Sequence, residues 1–161
     1  MAIEIERKYL VHKGLLPSLK DGQQMIQGYL AMQPSIRFRI IGQDVIITVK
    51  DLRSDGSRFE LETIKHQAGT EEQEQLMKLT LFPCIEKVRY RLPYSGLVWE
   101  IDVYQGKNSG LITADVEIPS LDYALEFPSW INSQQEITQD ARYFNINLGQ
   151  KPYTQWVNSS E

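Results

Sequence analysis

Cysteine is almost missing from this 161-residue sequence: Cys84 stands alone, which excludes an intramolecular disulfide framework. Histidine is nearly as scarce, and His12 and His66 with one cysteine cannot build a Cys/His zinc site. Long apolar runs are absent, since none approaches the ~18 residues that span a bilayer, and the N-terminus carries no basic-then-apolar signal. A cytoplasmic address with no membrane partner is therefore expected. Positive charge is not in excess either: 17 Lys+Arg against 21 Asp+Glu leave a net charge of -4, so no nucleic-acid partner is expected. No Pro/Gly/Ser-rich linker divides the chain, no long-period repeat recurs, and the length suits one core. An enzyme so poor in Cys and His must work with carboxylates, Lys and Arg, and a hard metal ion.

What is present is a period of two, the mark of strands with chemically different faces. In Ile3–Leu10, Ile3, Ile5 and Tyr9 alternate with Glu4, Glu6 and Lys8. The same alternation runs through Ile36–Ile41, Asp44–Leu52, Arg58–Lys65, Ile85–Pro93, Val98–Tyr104 and Thr113–Ile118, and more weakly through Gln23–Met32. Asp55-Gly56 marks a tight hairpin between the strands at Asp44–Leu52 and Arg58–Lys65. Helix signals are few: one helix starting at Thr70 with Glu71, Glu72 and Glu74 in its first turns, one between Ser120 and Pro128, and one from Thr138 to Gly149. The expected fold is mainly β (α+β), an antiparallel sheet of about eight strands with three short helices.

The polar faces are sorted by sign. Acids pair as Glu4/Glu6, Glu60/Glu62, Glu100/Asp102 and Asp115/Glu117, and bases as Arg37/Arg39 and Lys87/Arg89, with Lys8 and Lys50 beside them. One reading makes these the solvated faces of antiparallel strands. The other curls the sheet into a closed eight-stranded barrel with its charges inward, where they must face each other, metal ions or a highly charged ligand. The eight acids outnumber the six bases by two. Two divalent cations would turn that interior positive, suited to a polyanion such as a triphosphate with roughly four to five negative charges. Carboxylates without histidine suit Mg²⁺ or Mn²⁺. Inward charges also leave apolar faces outward, more than three short helices can cover, so a homodimer is expected.

Glu4-Ile5-Glu6-Arg7-Lys8 resembles the ExExK signature of the CYTH superfamily, the triphosphate tunnel metalloenzymes. Further likenesses follow in order: Gln27-Gly28-Tyr29-Leu30, Arg37-Phe38-Arg39, Thr48-Val49-Lys50, Arg58-Phe59-Glu60-Leu61-Glu62, Glu86-Lys87-Val88-Arg89-Tyr90, Glu100-Ile101-Asp102, Asp115-Val116-Glu117, and Ile137-Thr138 through Tyr143-Phe144-Asn145. The resemblance makes residues 1–148 the tunnel domain and 149–161 a C-terminal extension. It is nearest the short bacterial members, which hydrolyse tripolyphosphate. Relatives that hydrolyse thiamine triphosphate or cyclise ATP (the class IV adenylate cyclases) share the same site, and a non-catalytic polyphosphate- or nucleotide-binding module is the rival of another class.

What the resemblance implies is that Glu4, Glu6 and Glu117, with Asp115 nearby, hold Mg²⁺ or Mn²⁺. Lys8, Arg37, Arg39, Lys50, Lys87 and Arg89 grip the phosphates of a small-molecule triphosphate, with Arg58 and Arg142 as further candidates. Glu60, Glu62 and Asp102 orient the attacking water or bind a second metal. Asp115 stands where the family usually has Glu, and Gln139 and Ala141 where it often has an acid and a base.

Overall fold

The protein is described by a computed structural model covering residues 5–159, with side chains through 156. Nine strands form one sheet: β1 (Ile5–Val11), β2 (Gln23–Met32), β3 (Ser35–Ile41), β4 (Asp44–Leu52), β5 (Arg58–Lys65), β6 (Ile85–Tyr94), β7 (Leu97–Tyr104), β8 (Ile112–Ile118) and β9 (Ile131–Glu136). Their order is β5-β4-β3-β2-β6-β7-β8-β1-β9, and neighbours run antiparallel. Three helices, α1 (Thr70–Lys78), α2 (Asn145–Gln150) and α3 (Tyr153–Ser159), lie outside the sheet. None of the described helices is long and apolar enough to cross a membrane.

The expected strands form where the period of two places them, and the hairpin at Asp55-Gly56 closes as its residues require. Gly56 takes φ +87° and the Ser57 amide donates to Asp55 Oδ1 at 2.8 Å. Four expectations need correction. The sheet has nine strands rather than eight, and it is open, because its end strands β5 and β9 do not pair with each other. β9, Ile-Asn-Ser-Gln-Gln-Glu, shows no alternation that would announce a strand. It is held instead by Glu136, which accepts from Arg7 Nη2 at 2.8 Å, Arg7 Nε at 3.2 Å, Tyr9 Oη at 3.3 Å and Thr138 Oγ1 at 2.7 Å. β9 thereby occupies the free edge of β1 that a closing strand would need.

The segment between Ser120 and Pro128 is not a helix. It runs irregularly, with Tyr123, Leu125 and Phe127 packing at every second position against the apolar face of β1, β7 and β8, where Tyr9, Trp99, Ile101, Ala114 and Val116 are buried. A period of two, read locally as part of a helix, here serves an extended strap. The stretch from Thr138 to Gly149 breaks into a 3-10 turn, whose Arg142 amide donates to the Asp140 side chain, followed by α2. α1 begins as expected but with Gly69 at its N-cap, and it lays Leu76 and Met77 over Phe38, Ile40 and Val45.

Gly28 on β2 leaves room for the Phe38 ring. A Cβ there would sit 2.5 Å from Phe38 Cζ and 2.6 Å from Thr80 Cγ2, and Phe38 is fully buried. Gly28→Ala is expected to cost about 1–3 kcal/mol by overpacking. A thermal melt unchanged from the parent would contradict this packing.

Candidate functional site

The ladder decides which charges share a face. Glu6 lies opposite Glu117, Lys8 opposite Asp115, Asp115 opposite Glu100, and Asp102 opposite Arg89. Farther along, Gln27 lies opposite Arg39, Tyr29 and Thr48 flank Arg37, and Glu62 and Glu60 face Thr48 and Lys50. Every sign-sorted pair of the described residues therefore lies on one side of the sheet. The solvated-face reading holds for β5, whose eight residues are all exposed. It fails at the centre, where Lys87, Asp102 and Asp115 are 2%, 1% and 5% exposed.

At that centre Asp102 carries three charge-assisted hydrogen bonds. Lys87 Nζ donates to Oδ2 at 2.8 Å, and Arg89 donates Nε to Oδ1 at 2.8 Å and Nη2 to Oδ2 at 2.9 Å. Burial by itself would raise the Asp102 carboxyl, but the bonds and charges of Arg89 and Lys87 outweigh it and lower the pKa to about 2. Lys87 is lowered, because burial and the nearby Arg89 and Lys8 oppose its charge more than Asp102 supports it. Two cations share one anion, leaving the trio with a net charge of +1.

On β8 the balance is reversed. Burial, with Glu6 and Asp102 nearby, raises Asp115 to about 7 against the pull of Lys8, whose Nζ is 3.8 Å from Oδ1. Asp115 Oδ1, buried on the charged face, accepts no hydrogen bond, and its nearest counter-charge is Lys8. Such an oxygen suits a hard cation. Glu6, Arg91, Glu100, Asp115 and Glu117 border a cleft of about 630 Å³. Among the described residues no three acids are already drawn together as a metal cluster; Glu4 lies outside the described residues. The carboxylate donor set and the Asp115 oxygen that accepts no hydrogen bond fit Mg²⁺ or Mn²⁺.

On β3 the two arginines have neutral hydrogen-bond partners. Arg39 donates Nε and Nη2 to Gln27 Oε1 at 3.4 and 3.3 Å, and Arg37 Nη2 reaches Thr48 Oγ1 at 3.5 Å. Burial, with Arg37 and Arg89 adding repulsion, lowers Arg39. Tyr29, Arg37, Thr48 and Lys50, with Ile146 of α2, border a cleft of about 190 Å³. Glu62 accepts from Thr48 Oγ1 at 3.3 Å, and Lys50 stands 3.8 Å from Glu60.

The structure thus brings together Lys8, Lys87, Arg89, Asp102 and Asp115, and beside them Arg37, Arg39 and Lys50. It does not bring in Arg142, which is exposed, paired with Asp140 at 2.7 Å and stacked over Tyr143 and Trp156. Arg58 lies at the far end of edge strand β5, by a separate cleft with Lys50 and Asp51. Gln27, Thr113 and Arg91 belong to the face without having been singled out. Their signal is the period of two, which continues from Arg89 to Arg91, from Asp115 back to Thr113, and from Tyr29 back to Gln27.

No protein-family model matches the chain. It is similar to an inorganic triphosphatase of Acetivibrio thermocellus, 35% identical over 156 residues that cover 95% of this chain and 97% of that protein. An inorganic triphosphatase of Nitrosomonas europaea is 36% identical over 158 residues, 90% of this chain and 95% of that one. A solved crystal structure of an inorganic triphosphatase matches with a TM-score of 0.71 and 30% identity, over 92% of this chain and 95% of the other.

Proposed function

Because the chain belongs to the CYTH superfamily, the triphosphate tunnel metalloenzymes, we propose that it hydrolyses inorganic triphosphate to pyrophosphate and phosphate on the charged face of its sheet. The observation that carries this reading is the distribution of charge on that face. A buried trio of net charge +1, flanked by Arg37 and Arg39 with neutral partners, lies next to a cleft edged by Glu6, Glu100, Asp115 and Glu117. Phosphoryl transfer needs fixed cations around the phosphate oxygens, an aligned water and a metal, with little covalent work from the protein.

In this proposal Glu6, Asp115 and Glu117, with Glu4, hold Mg²⁺ or Mn²⁺. When bound, the ion neutralises phosphate charge and lowers the pKa of a bound water. Arg37, Arg39, Lys50 and Lys8 hold the phosphate chain. Asp102, with both oxygens engaged, acts as a positioning residue that aims Lys87 and Arg89. That leaves Glu60 and Glu62 to orient water, and since β5 pairs only with β4, we place them over the ligand by an inward bend of β5 that narrows the open sheet toward a tunnel. The catalytic unit is residues 1–148, and a homodimer would cover the exposed Leu61, Leu79 and Leu81.

Phosphate release from tripolyphosphate, ATP, thiamine triphosphate and pyrophosphate, each with Mg²⁺ and with Mn²⁺, tests the reading. Tripolyphosphate is expected to be the preferred substrate. Glu6→Gln, which removes a hard anionic ligand while keeping the side-chain length, is expected to abolish turnover, as is excess chelator. Undiminished turnover in chelator would remove the metal from the mechanism, and preference for ATP or thiamine triphosphate would transfer the site to those substrates.

A further inference from the structure

Gln27 lies in the middle of β2, 1% exposed, in register with Arg39. Its Oε1 accepts both Arg39 contacts, and its Nε2 donates to Tyr29 Oη at 3.1 Å. A guanidinium has only donors, so the carbonyl end of the amide must face Arg39 and its NH₂ end must face Tyr29. The orientation of the amide is therefore set by its partners.

The contrast with Arg89 gives this bond its meaning. Arg89 spends two donors on the Asp102 carboxylate, which it shares with Lys87, and stands 3.6 Å from Glu100. Among the described residues, Arg39 has no carboxylate within ion-pair distance, though it is held on the same buried face. We propose that Gln27 is a positioning residue: it aims the Arg39 fork with a neutral acceptor, so the cation is fixed in direction while its charge stays uncompensated for a phosphate oxygen. A carboxylate at this position would hold the same fork but consume the charge. A side chain without an acceptor would keep the charge but release the fork.

This inference deepens the triphosphatase reading and rests on it for the identity of the anion. The test compares the full-length parent with Gln27→Glu and Gln27→Met. Two readouts are taken: steady-state kinetics on tripolyphosphate with Mg²⁺, and the melting-temperature shift produced by tripolyphosphate without metal. Gln27→Glu keeps size and acceptor, and Tyr29 can donate its hydroxyl in place of the lost amide donor. It is expected to raise KM at least tenfold and to remove most of the metal-free shift. Gln27→Met is expected to retain much of that shift while kcat falls at least tenfold.

A role confined to packing would change the melting temperature of the unliganded protein and leave KM, kcat and the ligand shift at parental values. That result in either variant overturns the proposal. If one variant does not fold, the other carries the test, since each has its own expected departure. A parent that is stabilised by tripolyphosphate but does not hydrolyse it counts against the function and leaves the Gln27 comparison intact, because the binding shift is read without turnover.

Discussion

Asp102→Asn is expected to be the most damaging single substitution for stability on the charged face. The side chain is 1% exposed and is the shared partner of Lys87 and Arg89, themselves largely buried. Asparagine preserves the shape but removes the anion that Lys87 and Arg89 share, leaving Arg89 only Glu100 at 3.6 Å and Lys87 no carboxylate in ion-pair range among the described residues. Breaking a buried pair in this way costs about 3–5 kcal/mol, on the order of 10 °C in Tm for a chain of this length. The acid limb of the stability curve should change with it. The folded pKa of about 2 lies below the ordinary value of 3.8, so ionised Asp102 contributes about 2 kcal/mol above pH 4, and that contribution is lost as pH falls through 2. Melts of the variant should lack this component between pH 4 and pH 2. Adding Lys87→Met should recover part of the loss at neutral pH. An Asp102→Asn protein that melts with the parent would show that the trio is not the electrostatic centre described here.

Arg39→Met is expected to separate function from stability in the opposite sense. Arg39 is half-buried against the repulsion of Arg37 and Arg89, so removing its charge relieves an unfavourable arrangement. Methionine keeps most of the apolar stem. The opposing cost is Gln27 Oε1, left without its donor, at about 1–3 kcal/mol. The two effects nearly cancel, and the melting temperature should stay within a few degrees of the parent. Activity should not survive: a preorganised donor on a transferring group is worth about 10²–10³ in rate. The stabilisation conferred by tripolyphosphate should shrink in parallel, since only the folded protein binds it. Parental rates and an undiminished ligand shift would exclude Arg39 from the substrate site.

The strands that proved easiest to read are those whose two faces differ in chemistry. β4 and β5 run between the residues at which their alternation starts and stops, because charged residues on one face and apolar residues on the other need only a period of two. β9 escaped because its residues are polar on both faces, and its place depends on Arg7, Tyr9 and Thr138, whose bonds to Glu136 come mostly from the other end of the chain. The Ser120–Pro128 strap departs from the expected helix for a related reason. Tyr123, Leu125 and Phe127 become a buried row only when the apolar face of β7 and β8 is there to receive them.

By itself, then, the sequence determined the element type of most strands, the sorting of charge by sign, the exclusion of a disulfide within the chain and the motifs that place the chain in its family. These depend on neighbours a few residues apart. The tertiary structure alone decided that the sheet is open between β5 and β9, that Asp102 is consumed by Lys87 and Arg89 while Arg39 is held by a neutral amide, and that Asp115 is buried with an oxygen that accepts no hydrogen bond. Each of those outcomes depends on which strands become neighbours and on how much water is excluded between them. Burial multiplies the strength of every charge interaction, so the same alternating pattern yields an exposed row of acids on β5 and a buried ion-paired centre on β6 and β7.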